Sequence, residues 1–205
     1  MNSEALIFEN VTLKYGKKTV LDNFSATFPA GKFTAIMGES GIGKTSLLRL
    51  AAGLVPSKNY SGIINTNGAK TAYQFQEPRL FEWLTVAENI SVVLESKGLS
   101  LHAPELAQKS IDMLELFGLA DVADEHPSAL SGGMAQRVAL ARTLAYDADL
   151  VLLDEPFRGL DEKTRTDVMQ KVRAQLEGKT VILVTHDSEE AEFFACGNIF
   201  HICKS

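Results

Sequence analysis

A short glycine-rich segment constrains the fold of this chain more than any other feature. Residues Gly38–Thr45 read G-E-S-G-I-G-K-T and match the pattern G-x-x-x-x-G-K-[S/T]. The segment follows an apolar run, Phe33–Met37, that predicts a buried strand, and it opens a helical pattern over Lys44–Leu54. Such glycines let backbone N–H groups surround an anion, and a helix N-terminus adds positive partial charge. This context predicts a phosphate-binding loop and argues against an ordinary glycine turn with an incidental lysine.

The loop supplies the first candidate binding residues. Lys44 would bring a full positive charge to the β- and γ-phosphates of a nucleotide, and the Thr45 hydroxyl is suited to Mg²⁺. The glycine order, G-x-x-G-x-G, differs from the G-x-G-x-x-G of dinucleotide-binding folds. The candidate nucleotide-binding residues here are Gly38, Glu39, Ser40, Gly41, Ile42, Gly43, Lys44, Thr45 and Ser46.

Two acids end a second apolar run, Leu150–Leu153. The carboxyl ends of parallel strands line the ligand crevice of such sheets. Successive strand residues point to opposite faces, so Asp154 and Glu155 should have different roles. We expect Asp154 to hold Mg²⁺ through water and Glu155 to polarise the water that attacks the γ-phosphate. Without the phosphate-binding loop, solvated acids in a turn before Pro156 would explain the pair equally well.

Composition limits the class of protein. The chain has 205 residues, 45% of them hydrophobic, which suits a single folded α/β domain. Its net charge of −6 and the lack of a basic stripe argue against nucleic acid as a partner. Cys196 and Cys203 do not have the spacing of a zinc site. No apolar run approaches the roughly 20 residues of a membrane-spanning helix, so any channel would belong to another chain.

Strands alternate with helices along the chain, which predicts a mostly parallel sheet covered by helices. Residues 77–147 read as a helical insertion, and residues 1–76 and 148–205 as the core of one domain. Within these parts the pattern predicts an edge strand at Leu6–Leu13, strands at Ile63–Ile64, Thr71–Phe75 and Val181–Val184, an apolar helical face at Ile111, Leu114, Leu116 and Phe117, and helices at Ser131–Ala145, Glu162–Leu176 and Glu189–Ala195. A capping box is predicted at Thr85–Glu88.

The segment Leu130–Arg137, L-S-G-G-M-A-Q-R, resembles the LSGGQ-type signature of ABC ATPases. Physically it is a second anion site, because Ser131 can cap a helix while Gly132 and Gly133 leave backbone N–H groups bare. On its own, a helix cap with two permissive glycines would be an adequate explanation. Together with the phosphate-binding loop, it implies the ABC ATPase fold: a P-loop core, an N-terminal antiparallel β part and a helical insertion.

Further elements resemble that family in the expected order. Tyr15 resembles the aromatic residue that stacks on adenine, and Gln76 the glutamine that senses Mg²⁺ and the membrane partner. Asp161, in Gly159–Asp161, resembles the D-loop acid, and His186 the switch histidine that contacts the γ-phosphate. The resemblance therefore implies catalytic roles for Lys44, Gln76, Glu155 and His186, and metal binding by Thr45, Gln76 and Asp154. It covers the chain from about Leu6 to Cys203.

The resemblance also implies partners and a location. ATP and Mg²⁺ would be sandwiched between the P-loop of one subunit and the signature of another in a head-to-tail dimer. The second subunit would be another copy of this chain or a paralogue. Transmembrane permease subunits, and a solute-binding protein in an importer, would complete the complex. The chain would then lie peripherally on the cytoplasmic face of the cell membrane, as an ATPase that energises transport of a small solute.

The segment Pro78–Asn89 narrows the resemblance to importers of nitrate, sulfonates, taurine or thiamine-like compounds. Two other readings remain open on the residues alone. One is a soluble ABC ATPase of DNA repair or translation, which usually has two nucleotide-binding domains, coiled-coil insertions or basic surfaces. The other is a non-hydrolysing, nucleotide-gated binding subunit, which would be expected to lack Glu155 or His186; both residues are present.

Overall fold

The computed structural model describes residues 4–96 and 103–202, which form two compact units. The first unit comprises residues 4–73, 148–155 and 176–202, and the second comprises residues 74–96, 103–147 and 156–175. Cys203 lies outside the described residues. The division of the chain into a core and a helical part at residues 77–147 stays a prediction.

The strands and helices are named in chain order. The strands are β1 (Glu4–Tyr15), β2 (Lys18–Pro29), β3 (Phe33–Met37), β4 (Tyr60–Asn65), β5 (Thr71–Gln74), β6 (Leu150–Asp154), β7 (Thr180–Val184) and β8 (Ile199–His201). The helices are α1 (Lys44–Ala51), α2 (Val86–Ser96), α3 (Ala103–Leu116), α4 (Gly132–Ala145), α5 (Glu162–Gln175) and α6 (Ser188–Ala195). Thus α1 ends three residues before the predicted Leu54, at a glycine turn, and Phe117 lies just beyond α3.

An antiparallel sheet in the order β2-β1-β4 forms one part of the first unit. The prediction that β1 is an edge strand is wrong, because β2 and β4 pair with its two sides. The sequence analysis gave no strand at β2. Its alternation is broken by register shifts in the pairing with β1 and by Asn23, whose φ of 47° is left-handed.

A five-stranded sheet in the order β5-β6-β7-β3-β8 forms the other part of the first unit. The pairs β6/β7, β7/β3 and β3/β8 are parallel. Every residue of β6 and β7 is buried, as unbroken apolar strands of a covered parallel sheet should be. The core of this unit contains Phe8, Phe28, Ile36, Leu47, Leu152 and Ile182, among others.

Helices dominate the second unit, where α2 packs on α3 and α4. The predicted capping box is confirmed: Thr85 N–H donates to Glu88 at 2.7 Å, and Glu88 N–H donates to the Thr85 hydroxyl at 3.2 Å. Ser131 is the N-cap of α4, since its hydroxyl accepts a bond from Met134 N–H at 3.2 Å.

A fully buried amide, Asn89 on α2, organises the segment before that helix. Its Oδ1 accepts from Phe81 N–H at 2.9 Å, and its Nδ2 donates to the carbonyls of Phe81 at 3.1 Å and Thr85 at 2.9 Å. Arg142 on α4 donates to the Pro78 carbonyl at 3.0 Å, and its guanidinium lies 5.4 Å from the centre of the Phe81 ring. Residues 78–85 are therefore fixed by side chains although they contain no regular element.

Candidate nucleotide site

Three adjacent strands, β6, β7 and β3, end at one edge of the parallel sheet. Backbone bonds tie their ends together, from Glu155 N–H to the Val184 carbonyl at 2.9 Å and from Thr185 N–H to the Ile36 carbonyl at 3.4 Å. The glycine-rich loop follows β3, the acid pair ends β6, and His186 follows β7. The first unit thus brings together the candidate residues of the loop with Asp154, Glu155 and His186.

Close packing within the first unit requires two glycines of the loop, Gly38 and Gly43. A Cβ at Gly38 would stand 2.7 Å from the Ile202 carbonyl oxygen, and one at Gly43 would stand 3.1 Å from Val20 on β2. Gly43 has a φ of 114°, which an L-residue rarely adopts. The loop therefore lies against β2 and the residue that follows β8.

Ile42 is the one large apolar side chain of the segment Gly38–Thr45. It is only 8% exposed and belongs to the core cluster of the first unit. Its side chain packs into this core, and its backbone N–H remains part of the loop.

Lys44 is buried, at 8% exposure. Its Nζ donates to the carbonyls of Gly38 at 2.7 Å and Glu39 at 2.9 Å. These bonds hold the ammonium group against the first two residues of its own loop. A phosphate in the loop would face a positive charge that the protein already holds in position.

Asp154 accepts one hydrogen bond on each carboxylate oxygen. Thr45 Oγ1 donates to Oδ1 at 3.0 Å, and the Tyr73 hydroxyl donates to Oδ2 at 3.0 Å. Burial raises the pKa of the Asp154 carboxyl, and these two bonds act in the opposite direction. Burial, and next the neighbouring Asp154 charge, raise the pKa of the Tyr73 phenol, so the phenol keeps its proton. Sequence reasoning missed Tyr73, which shows only as a strand residue.

Glu155 lies beside His186, with 3.6 Å between Glu155 Oε1 and His186 Nδ1. Glu155 has a φ of 46°, a left-handed conformation that non-glycine residues seldom adopt and that clusters at functional sites. Because of this conformation, Glu155 does not continue the regular alternation of side chains along β6. This agrees with the separate roles predicted for the two acids.

A buried carboxylate fixes the backbone around His186. The Thr185 hydroxyl donates to Glu190 at 2.6 Å and accepts from Asp187 N–H at 3.0 Å. Asp187 in turn caps α6 by accepting from Glu189 N–H at 2.8 Å. His186 thus extends from a turn that hydrogen bonds hold on both sides, and Glu190 is a second residue that sequence reasoning missed.

Tyr15, the candidate adenine-stacking residue, ends β1 and is 41% exposed. A cavity of about 630 Å³ lies between β2 and the loop, where Lys18, Val20, Ser40 and Gly41 contribute to its lining. That volume is in the range of small-molecule sites. The sequence analysis missed the β2 contribution because it did not recognise the strand.

The remaining candidates belong to the second unit. Ser131 and Gly132 are exposed, and no atom lies within 4 Å of the Cβ that a substitution at Gly132 would add. A Cβ at Gly133 would meet Leu160 at 3.4 Å, an ordinary contact, so the signature lies beside the D-loop segment. Asp161 Oδ1 accepts from Thr164 N–H at 3.1 Å, and bonding to Thr164 lowers the pKa of Asp161.

Gln76 also lies in the second unit, where it directly follows Phe75 in the chain. The Arg79 guanidinium stacks 4.3 Å from the centre of the Phe75 ring and so constrains this stretch of chain. The structure therefore divides the candidate residues into two groups, one in each unit. That the first group binds this chain's own nucleotide, and that the signature residues face the nucleotide of another subunit, stays a prediction.

The described residues contain no cluster of three or more His, Cys, Asp or Glu side chains that could hold a metal ion. A Thr–Asp pair is the only protein contribution that a phosphate-bound Mg²⁺ requires in many nucleotide sites. The Thr45–Asp154 pair fits that requirement, because both groups offer oxygen and lie in contact. Over the described ranges, none of the helices has the length and apolar character needed to cross a bilayer.

A phosphate-binding loop, a carboxylate pair at the same sheet edge and a helix that begins with S-G-G define the class of ABC-type ATPases. The ABC transporter family profile matches residues 21–158, and the chain belongs to that family. The predicted resemblance to ABC transporter ATP-binding subunits and the predicted ABC ATPase fold are confirmed.

Several relatives are named as import proteins. The chain is 43% identical to the aliphatic sulfonates import ATP-binding protein SsuB 1 of Mesorhizobium japonicum, over 91% of this chain and 71% of that protein. It is 39% identical to SsuB of Bacillus subtilis, over 97% and 78%. A dimeric post-hydrolysis state of the ATP-binding cassette MJ0796 bound to ADP and Pi matches with a TM-score of 0.83 and 32% identity, over 92% and 91%. These likenesses confirm the predicted class of activity, an ATP-binding and ATP-hydrolysing transport subunit.

Proposed function

We propose that this chain is the ATPase subunit of an importer for small anionic solutes, with aliphatic sulfonates as the solute class. The observation that carries the ATPase role is the meeting of Thr45–Asp154 and Glu155–His186 at the edge where the phosphate-binding loop begins. The solute class is taken from the names of the SsuB relatives. The segment Pro78–Asn89, which resembles importers of sulfonates among others, supports the same choice.

The first unit binds and orients the triphosphate. Backbone N–H groups of Gly38–Thr45 surround the phosphates, and Lys44 exchanges its contacts with the loop carbonyls for the β- and γ-phosphate oxygens. Tyr15 stacks on adenine. Thr45 and Asp154 would hold Mg²⁺, which would neutralise charge on the phosphate oxygens. Gln76, in the second unit, is the further ligand that the family resemblance implies.

Glu155 is the general base. Its carboxylate orients the attacking water and accepts a proton from it, while Lys44 stabilises the charge that develops on the transferred phosphoryl group. His186, fixed by the turn at Thr185 and Asp187, donates to the γ-phosphate from beside Glu155. A positioned base of this kind contributes about 10²–10⁴-fold in rate.

The second unit acts on the nucleotide of a partner subunit. Gly132 and Gly133 are not required by the packing of their own chain, since a Cβ at either position meets open space or an ordinary contact. Glycine in a helix costs about 0.5–1 kcal/mol relative to alanine. The glycines therefore serve a partner outside the chain. We expect the exposed N–H groups of Ser131–Gly133 to bind a phosphate held by the other subunit of a head-to-tail dimer. Asp161 would lie at the same interface.

Permease subunits and a solute-binding protein complete the importer that we propose. The chain then works on the cytoplasmic face of the membrane, bound peripherally to permease subunits. The exposed aromatic residues of the second unit, Phe81 and Trp83, with Trp83 73% exposed, are suited to an apolar contact with such a partner.

The dimer is tested by Gly132→Ala. We expect the variant to unfold at the wild-type temperature or above it, because alanine stabilises helix α4, and yet to lose ATP hydrolysis at least tenfold. Mixed dimers of Gly132→Ala with Lys44→Ala should regain part of the activity, because one site per dimer then has an intact loop and an intact signature. Gly178→Ala lies outside both candidate groups and strains the backbone, because Gly178 has a φ of 76°, so it reports what a loss of stability alone does to hydrolysis. Full hydrolysis by Gly132→Ala would contradict the role of the signature.

Transport is tested with the predicted complex. Cells that lack their own sulfonate uptake and express this chain with its permease and binding protein should grow on an aliphatic sulfonate as sulfur source. Growth should depend on Lys44. Uptake of another anion, such as nitrate, without uptake of sulfonates would reject the solute class and retain the ATPase role.

A further inference from the structure

The Tyr73 hydroxyl occupies one oxygen of the carboxylate that we expect to serve Mg²⁺. It donates to Asp154 Oδ2 at 3.0 Å, while Thr45 holds Oδ1 at the same distance. We propose that Tyr73 is a positioning residue for Mg²⁺, which acts by fixing the plane of the Asp154 carboxylate next to Thr45. The inference rests on the proposed Mg²⁺-dependent use of ATP and adds a residue to it.

Two donors fix a carboxylate where one does not. The carboxylate plane rotates about the Cβ–Cγ bond, and a single bond from Thr45 leaves this rotation open. A second bond to the other oxygen, from Tyr73 on strand β5, prevents this rotation. Thr45 donates its hydroxyl proton to Asp154, so the lone pairs of the Thr45 oxygen can face a cation.

The position of the Tyr73 hydroxyl is itself fixed by packing. Its ring packs against the core of the first unit, so β5 determines how far the hydroxyl reaches. Arg49 on α1 interacts with both the phenol and the Asp154 carboxylate. Asp154 is 1% exposed, so bulk water has little access to replace the phenol if it is removed. Partners of this kind, one step behind a metal ligand, typically change metal affinity by about 10–100-fold.

A purely structural role would give a different result. If Tyr73 served only to stabilise a buried carboxylate, its loss would weaken the fold and would lower nucleotide affinity equally with and without Mg²⁺. If Tyr73 positions Asp154 for Mg²⁺, its loss would change only the gain in affinity that Mg²⁺ brings. The ratio of the two affinities therefore separates the roles.

The test compares Tyr73→Phe with wild type by calorimetry, using a non-hydrolysable ATP analogue in excess Mg²⁺ and in EDTA. Tyr60→Phe is the matched control, because Tyr60 is also a half-buried tyrosine packed on the same core. Tyr73→Leu gives a second variant without the hydroxyl. We expect the Mg²⁺-dependent gain to fall about tenfold in both Tyr73 variants, at the lower end of the usual range because Thr45 remains. The affinity in EDTA should stay at the wild-type value.

Three results would overturn the proposal. The first is that Mg²⁺ increases the nucleotide affinity of the Tyr73 variants as much as that of wild type. The second is an equal loss of affinity in Mg²⁺ and in EDTA, which would make the contact structural. The third is a wild-type protein without any gain from Mg²⁺, which would remove the proposed Mg²⁺ site itself and is recognised without any substitution.

Discussion

Replacing Glu155 by glutamine should separate ATP binding from hydrolysis. Glutamine is nearly isosteric, and the backbone bond from residue 155 to the Val184 carbonyl at 2.9 Å does not involve the side chain. The left-handed φ of 46° is no harder for glutamine than for glutamate. Thr45, Asp154 and Lys44 keep their contacts. Since the substitution removes a negative charge that repels Asp154 and would repel a triphosphate, ATP affinity should hold or rise.

The rate should fall by the contribution of the base. Loss of a positioned general base costs about 10²–10⁴-fold, which corresponds to about 2.7–5.4 kcal/mol in activation free energy at 1.36 kcal/mol per tenfold. Hydrolysis would then be too slow to reopen an ATP-bound dimer. We expect Glu155→Gln to elute as a dimer on size exclusion with ATP and as a monomer with ADP, while wild type dimerises only fleetingly.

Phosphate release and size exclusion measure the two effects separately. Glu189→Gln is the control, because it removes an exposed acid from the first turn of α6 in the same unit. A Glu155→Gln protein that releases phosphate at the wild-type rate would refute Glu155 as the base. A slow variant that stays monomeric in saturating ATP would agree with Glu155 as the base. It would contradict the expectation that ATP alone makes this chain dimerise.

Three further substitutions test other contacts. Lys44→Ala should abolish tight ATP binding in calorimetry, since a lysine–phosphate contact at about 4 Å and a dielectric of about 20 is of order 4 kcal/mol before desolvation; wild-type affinity would remove Lys44 from the site. Tyr15→Ala should weaken binding of ATP and GTP alike, whereas Tyr15→Phe should change little, and equal affinity in both variants would exclude stacking. Asn89→Ala should destabilise the fold by at least about 2 kcal/mol, because Phe81 N–H and several carbonyls lose their buried partner. That loss should lower the melting temperature by about 4 °C or more, and an unchanged melting curve would contradict it.

Local patterns predicted much of this fold. The runs Phe33–Met37, Leu150–Leu153 and Val181–Val184 lie in buried parallel strands, where uninterrupted apolar sequence is the expected signal. The helix that starts after Ser131 was predicted with Ser131 as its cap, and Ser131 is its N-cap. In these cases the residues that form an element also carry the signal for it.

Pairing between distant segments could not be predicted in the same way. Strand β1 looks like an edge strand until β2 and β4 are placed on either side of it, and bulges in the pairing with β2 disrupt the alternation that would reveal that strand. The contact between Tyr73 and Asp154 joins residues 81 positions apart, through two strands whose adjacency no local pattern indicates. The Thr185–Glu190 bond depends on the burial of a glutamate in the first turn of α6, which no local pattern indicates.

The buried Asn89 amide has a mechanical consequence for residues 78–85. A segment without regular structure normally deforms under small forces, because few bonds oppose a change of its dihedral angles. Here, bending the segment at Phe81 would break bonds to both the N–H and the carbonyl of that residue, in a place that water does not reach. A force applied to Trp83, two residues further on, would therefore displace helix α2 and would deform residues 78–85 little. Residues 78–85 should therefore resist bending at Phe81 although they have no regular structure.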